Sequence, residues 1–171
     1  ELRRRGVAGT AEAVQALDRA RRWFPAHLDR TRRSGVRTVD VERPFTLVVG
    51  PHRVRGRVDR VDAHPAGGHQ LVDYKTGRPP VDREGGAGEV VLRLYLEGAR
   101  EAWAAAPRGA TLEYVLDGDV RQVHPDPAAT AAALDAVRRV ADDISAGRFD
   151  PAPGWHCRGC DFALLCPAMD R

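Results

Sequence analysis

The sequence predicts an α/β domain in which an antiparallel three-stranded meander is flanked by helices. Val- and Thr-rich stretches separated by Gly/Pro turns follow one another between residues 38 and 75, and segments of helical periodicity lie on both sides. The length of 171 residues, with 43% hydrophobic and 30% charged residues, is that of one domain with a real core rather than a disordered chain.

The elements follow in order. Residues 7–24 set Ala11, Val14, Leu17 and Phe24 near helical spacing, with Arg on the other faces and Pro25 as a stop, which predicts a helix lying on a sheet. Residues 38–49 read as a strand ending in the turn Gly50-Pro51-His52, residues 53–62 as a second strand, and residues 69–75 as a third after the turn Pro65-Ala66-Gly67-Gly68. A Gly- and Pro-rich loop over 77–88, a candidate lid, leads to a helix whose inward face is predicted to be Val91, Leu94, Tyr95, Gly98 and Ala102, ending before Pro107. Residues 111–116 and 119–123 form a hairpin around Asp117-Gly118, a pair suited to a tight turn. Asp126 then caps a last helix with Pro127 at its first position, Leu134, Val137, Ala141 and Ile144 inward, and Gly147 at its end. A cysteine-rich tail occupies 151–171, and no internal repeat is visible.

Composition narrows the function classes. No apolar stretch approaches the roughly 20 residues needed to span a bilayer and no secretory pattern opens the chain, so a cytoplasmic protein is expected. The net charge of +3 is small, but Arg3-Arg4-Arg5, Arg19-Ala20-Arg21-Arg22 and Arg30-Thr31-Arg32-Arg33 could bind phosphate backbones or equally be solvated helix faces. Of 27 basic residues 26 are Arg, and the one Lys, Lys75, sits in Val72-Asp73-Tyr74-Lys75-Thr76-Gly77. Arg is a planar fork that always carries charge, whereas Lys is a point charge with a movable pKa, so Lys75 is the first candidate for chemistry.

Its partners are acids. On a strand Asp73 and Lys75 point the same way and Tyr74 the other, and in Gly56-Arg57-Val58-Asp59-Arg60-Val61-Asp62 strict alternation puts Asp59 and Val61 on one face and Val58 and Arg60 on the other. An antiparallel partner could bring Asp59 beside Asp73. Two carboxylates about 5 Å apart repel by roughly 3 kcal/mol at an effective dielectric of about 20. Lys75 offsets part of that, and Mg2+ or Mn2+ would remove the rest and activate water for phosphodiester hydrolysis. The plain alternative is a surface ion pair between Asp73 and Lys75.

These two runs resemble the core of RecB-like nucleases in the PD-(D/E)xK superfamily, over roughly residues 39–166. The resemblance implies a restriction-endonuclease-like core with a central mixed sheet, and a metal-dependent DNA exonuclease or endonuclease attached to a helicase and acting in DNA end processing, repair and recombination. It implies Asp59 and Asp73 as ligands of Mg2+ or Mn2+, the Tyr74 carbonyl as a third, and Lys75 as the catalytic lysine. Tyr95 is present on the following helix where the family has Tyr, while Val91 stands where it commonly has Gln. A metal-binding His from an upstream helix has no secure match, since the surroundings of His27 differ, and Glu42 is a candidate to touch the metal through water.

Three cysteines, all in the last fifteen residues, do not form a disulfide framework, and zinc or an iron-sulfur cluster is expected. Zinc would need a fourth ligand, and His156 is awkwardly adjacent to Cys157. Cys157, Cys160 and Cys166, spaced Cys-x2-Cys-x5-Cys-Pro, resemble the C-terminal part of the iron-sulfur staple of bacterial helicase-nucleases, whose fourth Cys lies far upstream. Residues 1–171 are thus expected to be a single nuclease-like domain cut from a longer helicase-nuclease, with DNA and a helicase domain or subunit as partners. Two other readings stand beside it: an inactive nuclease-like module that binds DNA or supports a helicase, and a small zinc-binding interaction domain.

Overall fold

The computed structural model describes residues 11–77, 86–104, 106–115, 118–154, 157 and 160–168. The run Arg3-Arg4-Arg5, most of the candidate lid, Asp117, Trp155 and His156 lie outside the described residues. The elements are α1 (Ala11–Ser34), β1 (Arg37–Val49), β2 (His52–Ala63), β3 (His69–Lys75), α2 (Ala87–Ala102), β4 (Pro107–Tyr114), β5 (Asp119–Val123) and α3 (Pro127–Ser145), with a short 3-10 turn at Ala163–Leu165. Among them no helix is long and apolar enough to cross a membrane.

The five strands form one sheet in the order β1-β2-β3-β4-β5. The first three make the expected antiparallel meander, and β4–β5 the expected antiparallel hairpin. β3 and β4 pair in parallel, so the sheet is mixed, and α2 supplies the crossover that a parallel pair requires. The core lies between the sheet and α2, where Phe45, Leu47 and Val49 of β1, Val58 and Val61 of β2, Leu71, Ala110 and Leu112 meet Leu92, Leu96 and Ala99. Phe45 is held edge to face against Tyr95 at 5.8 Å between centroids, and its ring fits because Gly56 and Gly98 face it: a Cβ on either would lie 2.3 Å from a ring carbon.

Several sequence expectations shift. α1 continues past Pro25 to Ser34. Pro25 is exposed, and the carbonyl it leaves without a donor, that of Arg21, belongs to an exposed residue within reach of water. The predicted inward residues of α1 face solvent, with Val14, Leu17 and Phe24 exposed to 52, 45 and 51%. The half-buried side of α1 instead carries Ala20, Trp23, His27, Leu28 and Thr31, and His27 Nδ1 lies 2.9 Å from Glu113 Oε1 on β4. The inward face of α2 is Leu92, Leu96 and Ala99, one step round from the predicted set, of which only Gly98 is buried and Ala102 is exposed. β4 begins at Pro107, and on α3 Ala133 is buried and Leu134 packs on the core while Ile144 is exposed. The cap matches expectation: Asp126 accepts from Ala128 N at 2.9 Å and Ala129 N at 3.1 Å, and Gly147 takes the left-handed conformation that follows the helix.

The alternation of β2 also breaks. Val58 and Val61 are both fully buried in the same core, which strict alternation forbids. Between the pairs Val41↔Arg60 and Arg43↔Val58, Glu42 faces Asp59, and Glu42 is at φ 53°, the left-handed region. The register is the same on both sides of this unpaired position, and the facing of β2 changes between Val58 and Val61; the register shift of the β1–β2 pair lies further on, between Thr38 and Asp40.

Candidate active site

The pairing of β2 with β3 ends at Arg60↔Val72. One step further the strands part, and the Tyr74 backbone N–H donates at 2.8 Å to Oδ2 of Asp59 instead of to a strand carbonyl. The parting of two strands thus sets the Asp59 carboxylate beside β3, at the register position of Asp73. Asp73 is only 4% exposed. Its Oδ1 accepts from the Tyr95 hydroxyl at 2.8 Å, and its Oδ2 faces Lys75 Nζ at 2.6 Å. That pair has no hydrogen-bond geometry, so Oδ2 is buried with an ammonium as counter-charge and no directed donor. The Lys75 side chain is 41% exposed, open to a substrate.

Tyr95 is held by α2, whose inward face packs on β4 and β1. Burial, followed by its hydrogen bond to Asp73 and the charges of Asp73 and Asp59, pushes the phenol well above its ordinary value. It stays a donor, and Asp73 Oδ1 is a committed acceptor. Asp59, Asp73, Lys75 and Tyr95 are therefore gathered from three elements.

A divalent cation fits what remains. Asp59 Oδ1 has no donor among the described residues, and Asp73 Oδ2 has none directed at it. Mg2+ is commonly held by one or two carboxylates with several waters retained. Among the described residues no group of three or more His, Cys, Asp or Glu converges, so two carboxylates are what the protein offers there.

The second acid of the motif has another task. Asp62 is buried at 1%, accepts from Thr38 Oγ1 at 2.9 Å and from Arg60 Nε at 3.1 Å, and belongs to the opposite side of the sheet. Arg60 also donates to the Tyr74 hydroxyl, and the Tyr74 ring meets His27 edge to face. Burial is the main cause that raises the Tyr74 phenol above its usual range. His27, bound to Glu113, is on this far side and not with Asp59 and Asp73. Glu42 is engaged by Arg57 at 2.8 Å. Of the arginine runs, Arg21, Arg30 and Arg33 pair with Asp18, Glu113 and Asp29. Cys157, Cys160 and Cys166 are free thiols that form no cluster among the described residues, and Cys157 Sγ accepts from Gly154 N at 3.3 Å. Sequence reasoning missed Phe45 with Gly56 and Gly98, the support behind Tyr95. Glycines at 56 and 98 were the available signal.

A family profile described as the PD-(D/E)XK nuclease superfamily matches residues 2–167. No curated protein sequence matches the chain. The crystal structure of SSO0001 superposes with a TM-score of 0.54 at 18% identity, over 97% of this chain and 75% of that one. A Eubacterium rectale protein named "Putative exonuclease" gives 0.47 at 13% identity, over 77% of this chain and 53% of that one. At 18% identity the likeness to the first speaks to fold alone, and the chain spans about half the length of the second protein.

Proposed function

The chain belongs to the PD-(D/E)XK nuclease superfamily, and on that premise we propose that it hydrolyses phosphodiester bonds of DNA at Asp59, Asp73 and Lys75 with the help of Mg2+ or Mn2+. The observation that carries this reading is the buried Asp73, whose two oxygens are divided between the Tyr95 hydroxyl and the Lys75 ammonium while Asp59 is drawn in by Tyr74 N. A cation held by Asp59 and Asp73, with the Tyr74 carbonyl as a further ligand, would acidify a water and offset charge on the phosphate. Tyr95 fixes the Asp73 carboxylate through one oxygen and leaves the other to the site. Lys75, half in solvent, places its charge where it can orient the attacking water or a phosphate oxygen. Glu42 is assigned an accessory place across from Asp59.

The test is cleavage of labelled DNA with Mg2+ or Mn2+. Asp73→Ala and Lys75→Ala are expected to abolish cutting, and cutting at the wild-type rate by either variant overturns the assignment. A second reading, an inactive nuclease-like module that binds DNA, is favoured by Val91 in the Gln position and by the placement of His27 on the far side of the sheet. It predicts binding with no cleavage at any metal concentration. The finer assignment rests on motif spacing: a RecB-like helicase-nuclease that processes DNA ends in the cytoplasm, with Cys157, Cys160 and Cys166 holding an iron-sulfur cluster completed by a fourth ligand. Iron analysis of protein purified without oxygen checks the last point.

A further inference from the structure

Each acid of the site is followed by a residue on the α1 side of the sheet, and those two residues touch. Arg60 follows Asp59, Tyr74 follows Asp73, and Arg60 Nη1 donates to the Tyr74 hydroxyl. The rest of the guanidinium is engaged as well. Its Nε and Nη2 sit 3.1 and 3.0 Å from Asp62 Oδ2, and the other Asp62 oxygen accepts from Thr38 Oγ1 on β1 at 2.9 Å. Asp62 is 1% exposed and the Arg60 side chain 14%, so this planar fork is held at both of its edges with little freedom. Beyond Tyr74 the line continues. The Tyr74 ring stands edge to face with His27 at 5.4 Å between centroids, and His27 holds Glu113, the β4 residue in register with Tyr74. Side chains thus run behind the site from Thr38 on β1 to Glu113 on β4.

The place of this line matters because the backbone ladder ends there. β2 and β3 pair as far as Arg60↔Val72, and Tyr74 lies two residues beyond Val72. On its other side β3 is paired with β4 through Lys75↔Tyr114, so the opening is toward β2. Across that opening run the bond from Tyr74 N to Asp59 Oδ2 at 2.8 Å and, behind it, the bond from Arg60 to the Tyr74 hydroxyl. Strand ends without ladder bonds open at little cost, and a tie to a fixed guanidinium opposes that opening. We propose that Arg60 and Tyr74 form a clasp on the back of the sheet that sets the gap between Asp59 and β3 and so positions the Asp59 carboxylate for the cation. The cation belongs to the nuclease reading, on which the proposal rests; the clasp itself acts on Asp59 and Tyr74 N. The N–H and C=O of one strand residue point to the same side, so the Tyr74 carbonyl shares that gap. Both side chains are positioning groups, since they lie on the face opposite Asp73 and Lys75. Asp62 has its part as the acid that fixes Arg60.

The test is amide hydrogen exchange, followed by NMR on the whole chain in EDTA so that no cation takes part. Tyr74→Phe deletes the hydroxyl and keeps the ring against His27. It is expected to speed exchange of the amide at position 74 about tenfold or more, as for loss of one hydrogen bond to a charged group, with the amide of Val72 in the paired ladder unchanged. Thr111→Val removes a comparable bond on the same face, from Gln70 Nε2 at 2.7 Å, where β3 and β4 are paired, and should leave the amide at 74 as it was. Unchanged exchange at 74 in Tyr74→Phe, or an equal rise in Thr111→Val, overturns the clasp. So does a rise at Val72 as large as that at 74, which would be general loss of stability. Mn2+ titration followed by EPR gives a second readout. Tyr74→Phe should bind Mn2+ about tenfold or more weakly, as when a group that orients a metal ligand is lost. Cleavage should then fall at limiting Mn2+ and return at saturating Mn2+, with KM for DNA unchanged. Wild-type Mn2+ affinity in Tyr74→Phe overturns the positioning role. Wild-type protein that cuts no DNA while Tyr74→Phe still frees the amide at 74 refutes the nuclease reading and supports the clasp.

Discussion

Replacing Lys75 by Met removes the ammonium and keeps the stem, leaving Asp73 with Tyr95 on one oxygen and nothing on the other. Breaking a fully buried ion pair costs about 3–5 kcal/mol because the surviving charge is stranded, whereas an exposed pair is worth about 0–1 kcal/mol. Here the Asp73 side chain is 6% exposed and that of Lys75 41%, so the loss falls between, about 2 kcal/mol after allowance for solvent around the ammonium. If Asp73 is a cation ligand, Mg2+ supplies the missing charge and the cost falls below about 1 kcal/mol at saturation. Urea unfolding of wild type and Lys75→Met, in EDTA and in Mg2+, measures both numbers. An equal cost in the two conditions refutes the idea that ammonium and metal serve the same carboxylate. No cost in either removes Lys75 from the site altogether.

Four further outcomes follow from the same geometry. Tyr95→Phe takes the donor from Asp73 Oδ1 at 2.8 Å and is expected to cost about 1.5–3 kcal/mol in urea unfolding without metal, together with a slower cleavage rate. Gly98→Ala drives a methyl to 2.3 Å from the Phe45 ring, which Gly56 backs on its other side; overpacking of about 1–3 kcal/mol should appear as a lowered melting temperature. Asp126→Ala removes two cap bonds at the start of α3 and should cost about 1 kcal/mol. Hydrogen bonds from Arg100 hold the Glu97 carboxyl below its ordinary 4.5, so the folded state releases that proton more readily than the unfolded one. The stability this contributes is complete above 4.5 and is lost as pH falls through the lower folded value. Arg100→Ala should therefore lower stability in neutral solution and leave it unchanged in strong acid, read by unfolding across pH.

The meander was legible because its turns are spelled by Gly50-Pro51 and Pro65-Ala66-Gly67-Gly68, and β3 begins and ends where the sequence reading set it, at His69 and Lys75. The facing of Asp73 and Lys75 followed from the two-residue repeat of a strand. Other features lay beyond periodicity. A repeat of 3.6 gives a helix a face but not a phase against its neighbours, so Leu92, Leu96 and Ala99 were passed over for residues one step away. The apolar side of α1 marked a helix correctly and said nothing of what covers it: His27 and Arg30 tie that helix to Glu113 with its other side turned to the sheet.

The fate of the two acids in Gly56-Arg57-Val58-Asp59-Arg60-Val61-Asp62 shows how a chemical site arises from a sheet. Three residues apart on a regular strand, they would face opposite ways, and either could be the reactive one. Across from Glu42, which is in the left-handed region, the repeat breaks at Asp59 and Val58 and Val61 fill the same core. Asp62, still within the paired ladder, is consumed by Thr38 and Arg60 and locks the sheet from the α1 side. Asp59, one step beyond the last β2–β3 pair, keeps one oxygen for Tyr74 N and has the other to offer. What separates a structural aspartate from a candidate ligand here is whether its strand is still paired. Substituting Glu42 by Gly, which accepts φ 53° without strain, should leave the Asp59 geometry intact, whereas Glu42→Val should disturb it and lower Mg2+ affinity, as followed by metal-dependent melting.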